Sequence, residues 1–256
     1  MRFDFIEIGS SCFKTLAEAY KEDESIKGLT IEPIPILYET IKEYCAESKN
    51  KYFLNAAIVE NVDREIIDFY HTVNPKMKSI GEAGLGSFSM ETISKGINET
   101  GTTSMAKVEK ISVNCKSFNQ VIEDYNITSI GLLKIDAEGC DYEIVKAFIS
   151  SDIECEAILF EVKPFMSEKQ LSELLVSLNS KGYKVQEQSR NVYCSLPDSK
   201  LDFNYYMKIS KRYMSKKLWL RKINWLKHEN KKKVNDSIVA RYMRSYAEKA
   251  QIRRLS

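Results

Sequence analysis

The chain has 256 residues, 43% hydrophobic and 29% charged, as in a globular protein with room for one ordinary domain and an appendage. Its net charge of +2 conceals a split: residues 200–256 carry 17 Lys and Arg against 4 Asp and Glu, whereas residues 1–199 carry 21 against 32. No apolar run is long enough to span a bilayer, and Asp4 and Glu7 interrupt the opening run, which argues against a secretory leader; a cytoplasmic protein is expected.

Residues Phe3 to Ile8 read as a strand, broken at Gly9-Ser10-Ser11-Cys12, and a helix follows from Thr15 to Lys21. Gly28 to Ile31 reads as a second strand closed by Glu32-Pro33. Pro35 then sits at the first position of a helix with Leu37, Ile41, Tyr44 and Cys45 on one face. Tyr52 to Leu54 is a third short strand ending in Asn55-Ala56, and Ile66 to Tyr70 a further one, expected to pair with its neighbour in a hairpin. Between His71 and Lys107 five glycines and many Ser and Thr mark a long irregular insertion, a feature usually tied to function. Val108 to Val113 alternates as a strand, and Ser117 opens a helix with capping-box spacing to Gln120.

Ile130 to Ile135 is a nearly all-apolar run, suited to a parallel strand covered on both faces. It ends in Asp136-Ala137-Glu138-Gly139, and a helical pattern starts at Asp141. Ala157 to Val162 repeats the buried-strand pattern and ends near Glu161. Ser167 and Gln170 have capping-box spacing ahead of Leu171, Leu174, Leu175 and Leu178, with Gly182 as the stop; Tyr183–Glu187 and Asn191–Ser195 form a closing hairpin. Strands alternating with helices predict an α/β doubly wound sheet over residues 1–197, followed by a basic, aromatic-rich helical tail over 198–256. The six cysteines are dispersed and the two histidines complete no zinc spacing with them, so free thiols are expected.

In open parallel sheets ligands bind beyond the carboxyl ends of the strands. The first strand ends in Glu7-Ile8-Gly9, the second in Glu32, and the apolar strand in Asp136 and Glu138. A carboxylate at the second strand end, 23 positions after Gly9, suits the ribose hydroxyls of either NAD or S-adenosylmethionine. No second and third glycine follow Gly9, so the pyrophosphate cradle is missing. A sulfonium ligand needs no such cradle, and acidic strand ends suit its positive charge.

Phe5-Ile6-Glu7-Ile8-Gly9-Ser10-Ser11, Ile31-Glu32-Pro33, Leu54-Asn55-Ala56-Ala57, Gly84-Leu85-Gly86-Ser87-Phe88 and Leu132 through Asp141, with Ile158-Leu159-Phe160-Glu161 closing, resemble in that order the FkbM family of methyltransferases. The resemblance covers roughly residues 3 to 190. It implies a mostly parallel, seven-stranded, Rossmann-like class I methyltransferase sheet and S-adenosylmethionine-dependent methyl transfer, commonly to a hydroxyl of a small molecule, natural product or sugar. It places Glu7, Gly9 and Ser10 at the methionine portion, Glu32 at the ribose, Asn55 and Ala56 near the adenine, and Asp136 closest to the sulfonium. Ser87 and Glu161 fall on the acceptor side. Phe13 departs from the family pattern, standing where many relatives have a further glycine.

A hydroxyl acceptor benefits from a base within hydrogen-bond reach, for which Asp136 is the first candidate and Glu138 the second. Both would otherwise serve as N-terminal caps of the following helix. Such a pair could also hold Mg²⁺, although no metal ligand is assigned. The basic tail is expected to pack its aromatic face, with Trp219, Ile223 and Leu226 in line, on the domain or on a second copy in a homodimer. The alternative is a catalytically inactive methyltransferase-like module whose tail contacts RNA or an anionic membrane surface.

Overall fold

The computed structural model describes residues 1–201 except 11–15, 21–22, 46–47, 61, 74–85, 95–106, 138, 163–165 and 189. The strands are β1 (Arg2–Ile8), β2 (Gly28–Ile31), β3 (Lys51–Leu54), β4 (Ala57–Val59), β5 (Ile66–Val73), β6 (Gly86–Ser87), β7 (Lys107–Ser117), β8 (Ser129–Ile135), β9 (Glu154–Glu161), β10 (Lys184–Gln188) and β11 (Asn191–Ser195). The helices are α1 (Leu16–Ala19), α2 (Pro35–Tyr44), α3 (Phe118–Asp124), α4 (Asp141–Ser150) and α5 (Glu168–Ser180).

Seven strands form the main sheet in the order β10-β11-β9-β8-β1-β2-β3. β3, β2, β1, β8 and β9 run parallel, and β11 runs antiparallel to both β9 and β10, so the sheet is mixed. The chain winds outward from β1 through β2 to β3, then returns to the centre and winds the other way from β8 to β9. The reversal falls between β1 and β8, where doubly wound sheets bind ligands.

The central strands are apolar because both of their faces are covered. On one face Ile6, Ile8, Leu133, Ile135, Ile158 and Phe160 pack with Phe118, Val121, Ile144, Phe148, Leu174 and Leu178 of the three later helices. On the other, Phe5, Leu132, Ala157, Leu159 and Tyr193 pack with Leu16 and Ala17 of α1 and with Tyr44. Local signals set the helix ends. Ser117 with Gln120 and Ser167 with Gln170 form full capping boxes at α3 and α5. Gly182 takes φ +87° after α5, where the Tyr183 N–H donates to the Leu178 carbonyl at 3.1 Å in a left-handed stop.

A second, four-stranded sheet has the order β4-β7-β5-β6. In it β5 pairs antiparallel with its sequence neighbour β6, at Tyr70 opposite Ser87, and over a longer stretch with the more distant β7, from Ile66 opposite Asn114 to Val73 opposite Lys107; β4 pairs parallel with the end of β7. Ile34, Leu37, Ala57, Phe69 and Val113 form the apolar cluster that joins this sheet to α2. Among the described residues no helix is long and apolar enough to cross a membrane.

Candidate active site

Backbone bonds that prolong the ladders of the main sheet hold its strand ends in one plane. The Asp136 N–H donates to the Ile8 carbonyl at 2.9 Å, the Gly9 N–H to Ile31 at 3.0 Å, and the Glu32 N–H to Leu54 at 3.0 Å. Glu7, Gly9, Ser10, Glu32 and Asp136 thereby gather at one edge of the sheet, with Glu161 beside them at the end of β9.

Gly9 is required by the protein itself. Its φ is +77°, and a Cβ there would lie 1.9 Å from the carbonyl oxygen of Asp136. The loops after β1 and β8 therefore meet at this residue, and the missing side chain makes room for the Asp136 backbone.

Glu32 is 4% exposed. Its Oε1 accepts the Ile34 N–H at 3.0 Å and its Oε2 the Ser10 hydroxyl at 3.3 Å. Burial pushes its carboxyl up to about 8, and Glu7 and Asp136 add to the shift. Two donors leave this buried carboxylate short of hydrogen bonds. Asn55 is placed beside it, its side-chain amide donating to the carbonyls of Glu32 at 2.8 Å and Pro33 at 3.1 Å. Ala56 is buried next to it, so the end of β3 lies against the end of β2.

Glu7 is fully buried. Its Oε1 accepts the Lys134 ammonium at 2.7 Å and its Oε2 the Leu16 N–H at 2.8 Å, so its partners come from the protein. Burial pushes Glu7 upward, and Lys134 and Leu16 pull it back.

Around Asp136 the carboxyls are crowded. Burial, with Asp136 as the next cause, raises Asp141 to about 7 and Glu161 to about 8. Asp141 is 4% exposed, and its two oxygens accept from the Ala137 N–H at 3.2 Å and the Glu161 N–H at 3.3 Å. It is a clasp between the loop after β8 and the end of β9, closing over the first turn of α4. Sequence reading treated Asp141 only as a helix start, since its burial depends on β9, twenty residues on. Lys134 was missed as well, although it is the one cation in an apolar strand, as Glu7 is the one carboxylate in the second half of β1.

Glu138 lies outside the described residues, as does Phe13. Ser87 belongs to β6, buried opposite Tyr70, and so stands on the second sheet. That strand still approaches the site: a Cβ at its neighbour Gly86 would lie 3.1 Å from Ile34 Cδ1, two residues past Glu32. His71 is packed in β5, and burial holds its imidazole below the ordinary value. Among the described residues no group of three or more His, Cys, Asp or Glu side chains is arranged to hold a metal ion. The five described cysteines are free thiols.

Three carboxyls raised to between about 7 and 8 have a common consequence. Between the ordinary carboxyl range and about pH 8 the folded protein binds more protons than the unfolded chain, so these groups make stability fall as pH rises. Glu32→Gln is expected to raise the melting temperature of the ligand-free protein by several degrees at pH 8.5 and little at pH 4.5. Thermal melts at the two pH values check this; an equal effect at both would contradict it.

The strand order, the reversal at β1 and β8, and the carboxylates at the ends of β1, β2 and β8 form one arrangement spanning most of the described domain. No curated protein matches the chain. Residues 7–185, well over half of it, match the family model of the methyltransferase FkbM domain. The motifs at the ends of β1, β2, β3, β8 and β9 thus lie along one edge of the main sheet, and the chain belongs to the FkbM family of methyltransferases.

Proposed function

We propose that this methyltransferase uses S-adenosylmethionine and transfers its methyl group to a hydroxyl oxygen of a small molecule, natural product or sugar. The observation that carries the reading is Glu32, a buried carboxylate with two donors where a ribose diol would bring two more. The donor set fits the ligand in other respects. Carboxylates crowd a single edge, which favours a sulfonium and disfavours a pyrophosphate, and Gly9 is followed by no further glycine of a phosphate cradle.

In this reading Glu32 takes the ribose, Asn55 and Ala56 border the adenine, and the backbone at Gly9 and Ser10 borders the methionine end. Glu7, buried two residues before Gly9, stands at that same end. When bound, S-adenosylmethionine supplies a methyl group already activated by positive sulfur. The chain's task is then to align an acceptor hydroxyl and remove its proton. Asp136, partly exposed at the end of β8, is the proposed base. Glu161 and Ser87 are assigned to the acceptor side, Glu161 as the carboxyl held protonated near neutral pH beside Asp136.

Because the diol needs an ionised acceptor, affinity for S-adenosylmethionine is expected to rise with pH through about 8 as Glu32 ionises. Glu32→Ala should weaken binding by about 10²-fold or more, the value of two hydrogen bonds to a charged group. Calorimetry with S-adenosylmethionine and with NAD tests the reading, and preferential binding of NAD would overturn it.

A further inference from the structure

We propose that Asp141 is a positioning residue: it ties the end of β8 to the end of β9, so that the carboxyl groups of Asp136 and Glu161 meet the same acceptor hydroxyl. The inference rests on the reading given above, in which Asp136 is the base and Glu161 stands on the acceptor side.

β8 and β9 run side by side in parallel, and their last paired residues are Ile135 and Phe160. Asp136 and Glu161 follow directly, at the point where the register ends. Asp141 is 4% exposed in the first turn of α4 and reaches both strand ends. Its Oδ2 accepts the N–H of Ala137, the residue after Asp136, at 3.2 Å, and its Oδ1 accepts the N–H of Glu161 itself at 3.3 Å. This is not helix capping. The N-cap residue is Cys140, whose side chain makes no capping bond, and neither Ala137 nor Glu161 belongs to α4.

A carboxyl at this position is unfavourable in itself, and the two bonds account for it. Burial raises Glu161, and Asp136 and then Asp141 add to the shift. Burial also raises Asp141 to about 7, with Asp136 as the next cause, while the backbone at Glu161, Ala137 and Gly139 pulls it back. Lys134 and Arg190 act on Glu161 from the opposite sign. Among side chains of this length only Asp offers two acceptor oxygens at one point. Its bonds go to backbone, so they tie the strand ends without occupying the carboxyl groups of Asp136 and Glu161. A base must lie within hydrogen-bond reach of its hydroxyl, and a displacement of about 1 Å can cost about 10²-fold in rate. Asn at position 141 would break one arm, because its amide has a single acceptor oxygen and turns an N–H toward the other backbone N–H.

The test is a double-mutant cycle on the full chain, read by carbon-13 NMR titration of the Glu161 carboxyl. The effect of Asp136→Asn on Glu161 is measured in the wild-type background and again in Asp141→Asn. The charge of Asp141 is absent from both members of the second pair, so its own effect cancels. In the wild-type background Asp136→Asn should lower the Glu161 midpoint by about one pH unit. In Asp141→Asn it should lower the midpoint by less than about half as much, because the two carboxyls are no longer held together. Asp141→Ser, a smaller side chain with one acceptor oxygen, carries the same expectation and serves if Asn destabilises the fold. An equal drop in both backgrounds would overturn the inference, since a merely structural role leaves the cycle additive. A fall of about tenfold or more in the affinity of Asp141→Asn for S-adenosylmethionine by calorimetry would also overturn it, by placing Asp141 at the donor. Wild-type protein that fails to bind S-adenosylmethionine overturns the donor reading instead, and the cycle, which needs no ligand, still decides the role of Asp141.

Discussion

Asp136→Asn is expected to lower kcat by about 10²–10⁴-fold, the range for loss of a positioned base. The substitution preserves the shape of the side chain. The backbone contacts, Asp136 N–H to Ile8 and Asp136 carbonyl against Gly9, do not involve the group removed. Affinity for the methyl donor should therefore change less than about tenfold, through loss of a negative charge near the sulfonium. A fall in kcat with binding nearly retained identifies an interaction made in the transition state. An independent sign should accompany it. Asp136 is among the causes that raise Glu32, Asp141 and Glu161, so in the variant all three carboxyls should titrate lower. An unchanged kcat would remove Asp136 from the mechanism.

Gly9→Ala should be the most damaging small substitution in the domain. It places a Cβ 1.9 Å from the Asp136 carbonyl oxygen at a φ of +77°. The left-handed backbone costs about 1–2 kcal/mol for a non-glycine residue, and relieving the overlap on backbone adds about 1–3 kcal/mol. The obstacle is a main-chain atom at the centre of the sheet, so no side chain can swing aside. Denaturant unfolding should report a loss of at least about 2 kcal/mol, with donor binding lost as the loops after β1 and β8 separate. Gly182→Ala offers the contrast, since that residue also has a positive φ, +87°, but a Cβ there would meet nothing within 4 Å. Its cost should be confined to backbone strain. Equal losses in the two variants would contradict the role given to Gly9.

Much of this architecture was legible because its signals are local. The capping boxes at Ser117 and Ser167, the stop at Gly182 and the closing hairpin each depend on residues within a few positions of one another, and each appears where its pattern falls. The apolar runs of β1, β8 and β9 identified strands covered on both faces. The second sheet was not legible. β4 has three residues, and its partner at Cys115–Ser117 lies more than fifty positions away, so no short-range pattern marks the pairing. Ile66–Tyr70 carried strand character without saying which strand it would join.

The site was legible in part for the same reason. Strand-end carboxylates could be read because strand ends could be placed. The sharing of a buried ion pair by Glu7 and Lys134, 127 positions apart, emerges only when β1 and β8 lie side by side. A usable signal did exist: two opposite charges, each alone in an apolar run and each two residues before the loop. The purpose of Gly9 shifted likewise. A glycine at that point reads as room for a ligand, and the close neighbour proves to be the backbone of Asp136.

The most direct test of the account is a crystal structure of the protein with S-adenosylhomocysteine, the demethylated form of the proposed donor. Density is expected at the junction of β1, β2 and β8, with both ribose hydroxyls on the Glu32 carboxylate and the sulfur beside Asp136. Density elsewhere, or a ribose that leaves Glu32 with only Ser10 and Ile34 as donors, would contradict it.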